Sequence, residues 1–255
     1  MLSRFRERGG RGRAQGAEPL SMTLIDHLTE LRNRIIKVML AIAVGGVIGF
    51  LLYNRVLHLL QDPYCEVSPK QCDFIVTDPL EGFSIRLKIS AYIGFLIASP
   101  VVLWQLWRFV TPGLYAKEKK YAIPFVVSGV ILFVMGAAIA LLTFPQALRF
   151  LVNVGGDSVQ PLYTPGKYIS LIIFMMLAFG AGFEFPIVLV FLQLARVVTW
   201  QKLASWRRYA IVVIFIIDAL ITPSQDPVSL LALAIPMAIF YEISILLGRF
   251  VLRRS

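Results

Sequence analysis

The amino-acid sequence predicts an all-α polytopic membrane protein with six transmembrane helices, both termini cytoplasmic and the last two spans short. Composition is the first observation behind this. Apolar residues make up 58% of the 255 residues and charged residues 16%, against roughly 45–50% and about 25% in soluble domains. A soluble core of this size cannot hide so much apolar surface. Pattern is the second: the apolar residues fall into six blocks, and the longer ones approach the roughly 20 residues that cross a bilayer core. Charge placement is the third. Nineteen of the 25 Lys and Arg fall on one side of those blocks and six on the other, and the positive-inside rule makes the rich side cytoplasmic. The net charge of +10 would suit a nucleic-acid binder, but apolar blocks interrupt the basic residues, so no nucleic-acid partner is expected. Two cysteines and two histidines leave no material for a zinc cluster. Neither metal nor cofactor is expected.

Residues 1–20 read as a disordered basic tail, too polar to order itself, that anchors topology or grips anionic lipid. A membrane domain is expected over 21–252, followed by a cytoplasmic C-terminus at 253–255. In the leading segment, Leu24, Leu28, Leu31 and Ile35 recur at helical spacing opposite Asp26, Glu30, Arg34 and Lys37, which reads as an amphipathic helix at the inner surface that then turns into the first span. Glu30 is spaced for an i,i+4 pair with Arg34. The spans are expected at 35–53, 89–107, 122–144, 169–195, 209–222 and 230–248. Residues 54–88 form the long outer loop, where Cys65 and Cys72 face an oxidising compartment and are expected to be disulfide-bonded. The cytoplasmic loop at 108–121 carries Glu118 among Lys117, Lys119 and Lys120 and a Pro112-Gly113 turn signal.

Glu184 interrupts the fourth span between Phe183 and Phe185, with Pro186 after it. An ionisable group there costs on the order of 2.5–3.5 kcal/mol, so it should face a cavity or partner, or bond to a neighbouring span, and Pro186 should bend the helix. Glu242 is placed to pair with a cytoplasmic-side arginine, and Asp218 sits near the outer end of the fifth span, within reach of water. The connection 223–229 is expected at a depressed outer surface, with Leu220 and Ser224 reachable from outside. Neither histidine lies in a span and no nucleophile-elbow motif occurs, so no enzymatic activity is expected.

Five segments together resemble the twin-arginine translocase subunit TatC family. They are His27-Leu-Thr-Glu-Leu-Arg-Asn-Arg34, Asp78-Pro-Leu-Glu-Gly-Phe83 with Lys88 beyond it, Phe109-Val-Thr-Pro-Gly-Leu-Tyr-Ala-Lys-Glu118, Phe179-Gly-Ala-Gly-Phe-Glu-Phe-Pro186, and Leu220-Ile-Thr-Pro-Ser-Gln-Asp-Pro-Val-Ser229 leading to Ala234-Ile-Pro-Met237. The turn at Ser224-Gln225 is one residue longer than the family pattern. The resemblance implies the receptor core of a proton-motive-force-driven machine of the bacterial cytoplasmic membrane that exports folded proteins. It implies a signal-peptide site of Glu30, Glu118, Phe109, Pro112 and Leu114 reading two adjacent arginines. Glu184, Thr222 and Asp226 are implied as intramembrane polar contacts to a partner or cargo. The implied partners are single-span TatA-type and TatB-type proteins, twin-arginine signal peptides and membrane lipid, in an oligomeric complex. The alternative reading is a proton-coupled small-solute transporter using Glu184, Asp218 and Glu242 as a relay, which would show as solute uptake by the chain alone.

Overall fold

The structure, a computed structural model, describes residues 24–67, 76, 78–110, 122–154 and 164–250. The tail 1–20, the termini of the expected membrane domain, the loop bearing Pro112, Leu114 and Glu118, residue Cys72 and the C-terminal 253–255 lie outside the described residues. Every regular element described is helical.

Helix α1 (Leu24–Val67) runs for 44 residues, about 66 Å at 1.5 Å per residue, more than twice the thickness of a bilayer core. This corrects two expectations. The leading amphipathic segment is not a separate helix but runs into the span as one unbroken helix, with no Gly or Pro before Gly45. Leu28 and Ile35 of its stripe are 63% and 51% exposed, while Leu31 is half-buried. Much of the expected outer loop is also helix, as α1 extends to Val67 beyond Pro63 and α2 (Glu81–Val110) begins at Glu81.

Helices α1 and α2 form the tightest pairing, and glycines make it possible. A Cβ on Gly94 would stand 2.6 Å from Gly46 N and Ile42 O, and one on Gly49 would stand 2.6 Å from Ser90 O. Gly45 and Gly49 have the small-xxx-small spacing by which membrane helices bring their backbones together. Helices α3 (Ala122–Val154) and α4 (Pro165–Phe183) meet in the same way, where a Cβ on Gly136 would stand 2.6 Å from Phe179 O.

The outer ends of α1, α3 and α4 extend the core beyond the bilayer. Tyr168 on α4 donates its hydroxyl to Leu60 O at 2.7 Å, and its ring stands edge-on to Tyr64 at 5.3 Å and Phe144 at 5.5 Å. Leu60, Phe144, Ala147, Leu148 and Tyr168 are all buried. This packing fixes the α1 extension.

The fourth span bends as Pro186 requires. It divides into α4 and α5 (Phe185–Leu194) at Glu184, which serves as the end cap of one and the start cap of the other. Helix α5 ends in a Schellman arrangement, with Val197 N on Leu192 O at 3.0 Å, Arg196 N on Gln193 O at 3.1 Å and Arg196 at φ 58. Helices α6 (Trp200–Ser205) and α7 (Arg207–Ile221) follow, and α8 (Pro227–Phe250) returns beside them. Tyr241 donates to Leu203 O at 2.7 Å, and Arg207 pairs with Glu242 at 2.6 Å, the cytoplasmic partner expected for that glutamate. The last two spans are the shortest, at 15 residues for α7 and 24 for α8. Among the described residues, five helical units are long and apolar enough to cross a membrane; α7 is the short remaining crossing.

Candidate functional site

At the cytoplasmic end, the Arg34 guanidinium donates to Gln105 O on α2 at 3.0 Å and pairs with Glu30. The helical spacing of Glu30 and Arg34 dictates that pair, but the bond to Gln105 joins positions far apart in sequence. Helices α1 and α2 run antiparallel, so one turn beyond Arg34 and one turn beyond Gln105 lead to the same level. Glu30 and half-buried Phe109 therefore lie at a similar level near the cytoplasmic end of α2. That end of α2 is fixed by Trp107, 7% exposed, whose ring lies 4.5 Å from Phe125 on α3 and 5.8 Å from Phe191 on α5. Of the sequence-predicted residues, Glu30 on α1 and Phe109 on α2 are described, at a similar level along the two helices. Pro112, Leu114 and Glu118 belong to the loop outside the described residues. Arg34 is the component that sequence reasoning assigned no role beyond its pair; its spacing from Glu30 was the available signal.

A second site surrounds Glu184. Its carboxylate looks across at Gly129 on α3, where an added Cβ would meet Oε2 at 3.1 Å and Oε1 at 3.3 Å. It lines an apolar groove of about 280 Å³ with Leu103, Trp107, Phe125 and Phe191. Oε1 is enclosed and accepts no hydrogen bond among the described residues. The absent side chain at Gly129 makes room for the acid, and the helix break at Pro186 turns it toward α2 and α3. Membrane carboxylates usually face a partner or cavity for the reason argued from cost. This one faces a groove whose lining includes Leu106 and Val188, 57% and 50% exposed.

The third group, at the outer end of α7 and α8, is enclosed. Asp226 is 0% exposed; its Oδ1 accepts Ser229 N at 2.8 Å and its Oδ2 accepts the Ser224 hydroxyl at 2.6 Å. It caps α8, with Pro227 at the first helical position. Thr222 is 1% exposed, and its Oγ1 has no hydrogen-bond partner among the described residues. Ser224 is buried, which corrects the expectation that it is reachable from outside. Asp218 is buried as well, at 1% exposure, and does not reach water. In the same turn Gln225 lies at φ 47, a left-handed conformation that L-residues adopt at a cost of roughly 1–2 kcal/mol. Cys65, on the last turn of α1, is disulfide-bonded. Among the described residues no cluster of three or more His, Cys, Asp or Glu could hold a metal ion.

These features define a multi-pass helical membrane protein that keeps acidic side chains at the cytoplasmic end of a helix pair and in an apolar groove between helices. The sequence profile of the Sec-independent protein translocase protein (TatC) family matches residues 26–236. Among relatives, the TatC protein of Aquifex aeolicus is 41% identical over 92% of this chain and 98% of its own length. That of Frankia casuarinae is 38% identical over 92% of this chain and 68% of its own. A crystal structure of the twin-arginine translocase receptor TatC superposes with a TM-score of 0.72 at 41% identity, covering 87% of this chain and 99% of that one. The chain belongs to the TatC family and is a Sec-independent protein translocase component.

Proposed function

We propose that this protein is the signal-peptide receptor of a twin-arginine export complex in the bacterial cytoplasmic membrane, driven by the proton-motive force. Cargo signals are read at the junction of Glu30, Phe109 and the loop of Pro112, Leu114 and Glu118. The observation that carries this reading is the Arg34–Gln105 bond, which holds Glu30 level with Phe109 at the root of that loop. The cytoplasmic face is strongly basic and repels an arginine-rich peptide at long range, so recognition falls to a few fixed carboxylates. A carboxylate accepts a guanidinium through two parallel hydrogen bonds, a geometry an ammonium cannot supply. Glu30 already bonds one guanidinium, Arg34, which sets its orientation. A carboxylate has about four acceptor positions, enough for a second. Single-span TatA-type and TatB-type helices dock beside Glu184, whose groove includes exposed Leu106 and Val188, and cargo engagement assembles the oligomer. The Cys65 bridge, with Cys72 as the only other cysteine in the sequence, ties the outer end of α1.

The test is co-purification of the protein with a tagged twin-arginine peptide and its twin-lysine variant. Retention of the arginine peptide is expected to exceed that of the lysine peptide. Glu118→Gln should weaken it about ten- to hundredfold, the worth of a charge-assisted hydrogen bond, while insertion and partner association without cargo stay unchanged. Equal retention of both peptides, or wild-type retention by Glu118→Gln, would remove the loop from recognition.

A further inference from the structure

Another cavity belongs to neither site. It is an open cleft of about 870 Å³ between the outer ends of α2 and α4, and its lining changes character with depth. Asp78 and Glu81 stand at the rim, where α2 begins. Lys88 lies about two helical turns, or about 10 Å, further into the membrane. On α4, Lys167 stands at the rim, Ser170 one turn below it, and Leu171 and Phe174 deeper still. The polar positions are held in place. Lys88 Nζ donates to Ser170 Oγ at 2.8 Å, Glu81 Oε1 accepts Gly166 N at the start of α4 at 2.8 Å, and Asp78 Oδ1 accepts Leu80 N at 2.7 Å. An ammonium has three donors, and Ser170 takes one of those on Lys88. The apolar floor is open to lipid, with Phe174 54% exposed.

We propose that this cleft holds one outer-leaflet phospholipid with an ammonium-tipped headgroup, phosphatidylethanolamine. Carboxylates at the rim with Lys167 beside them, Lys88 about two turns deeper and apolar side chains deepest follow the order of ammonium, phosphate and acyl chain in that lipid. Two lysines against two carboxylates leave the lining without net charge. A zwitterion therefore matches it, whereas a singly anionic lipid brings a charge without a counterpart. Phosphatidylcholine has the same net charge, but its trimethylammonium donates no hydrogen bond to the rim carboxylates. Lys88, bonded to Ser170 at the boundary of the apolar stretch, reaches outward to a phosphate as snorkelling lysines do.

The experiment is native mass spectrometry of the full chain in detergent with equal amounts of palmitoyl-oleoyl phosphatidylethanolamine, phosphatidylcholine and phosphatidylglycerol. One retained phosphatidylethanolamine is expected, favoured about fivefold over each competitor, the scale of partly exposed charge contacts. Lys88→Gln and Lys167→Gln should each abolish that preference without lowering the unfolding temperature, while Lys202→Gln, on the cytoplasmic side, should preserve it. Preference for phosphatidylglycerol would replace the proposal with a simple anion site. Equal retention of all three lipids would overturn it, as would retention of none (the cleft then being covered by the chain's own segments) or selectivity unchanged in both variants.

Discussion

Two carboxylates at helix breaks, Glu184 and Asp226, differ in what their oxygens touch. Asp226 has both oxygens committed to Ser224 and Ser229 and is fully enclosed. It behaves as an N-cap, a position where Asn serves as well as Asp and Ala costs about 1 kcal/mol. Asp226→Asn should therefore leave the thermal unfolding midpoint near wild type, while Asp226→Ala lowers it; loss of partner association in Asp226→Asn at unchanged stability would give the residue a docking role instead. Glu184 has no acceptor role for Oε1 among the described residues, so the fold gains little from it and bears its desolvation. Glu184→Leu should keep or raise the unfolding midpoint in detergent. Photo-crosslinking to a single-span partner should fall about three- to thirtyfold, the range of interhelical hydrogen bonds in membranes. A lowered midpoint with intact crosslinking would make Glu184 a structural residue.

At the scale of elements, the contact between α1 and α2 rests on missing side chains. The atoms that an added Cβ on Gly94 would strike belong to the backbone of α1, at Gly46 and Ile42, so rotamer changes cannot relieve the clash. Gly94→Ala should cost about 1–3 kcal/mol, the usual range for overpacking, read as a lower unfolding midpoint. Gly82→Ala, at a position with nothing within 4 Å, should be neutral. The helices themselves were legible from block length and basic punctuation, and the bend at Glu184 from Pro186. Helix ends were not. The run of α1 to Val67 depends on Leu60 and Tyr64 meeting Tyr168, a residue about a hundred positions away, and no local pattern announces such a contact. The cytoplasmic site divides in the same way. Glu30 and Phe109 stood out in the segments resembling the TatC family, but their similar level rests on Arg34 and Gln105, which no periodicity links. Gly45 and Gly49 drew no reading from the sequence; that they pack against Gly94 and Ser90 of α2 only the fold shows.

At the scale of the molecule, crossing lengths are unequal, and that sets how the protein sits in a bilayer. Helices α1 and α3, with 44 and 33 residues, run beyond the membrane and tolerate any bilayer thickness. Helix α7, with 15 residues, covers only about 22 Å, against a hydrocarbon core of about 30 Å. Its ends are pinned. Arg207 is held by Glu242 on one side, and on the other the turn to α8 is locked by Ser224 and Asp226, so the helix cannot slide to compensate. We expect the bilayer to thin beside it, at fractions of a kcal/mol per Å of mismatch. Thermal stability in nanodiscs should therefore fall as acyl chains lengthen. Inserting about one helical turn of leucines in the middle of α7 should flatten that dependence, because one turn restores the facing of Ile214 and Asp218 toward the bundle. A midpoint indifferent to acyl length in the wild-type protein would mean that α7 meets no mismatch, and that a partner helix, not thinned lipid, covers its exposed Val212, Ile216 and Leu220.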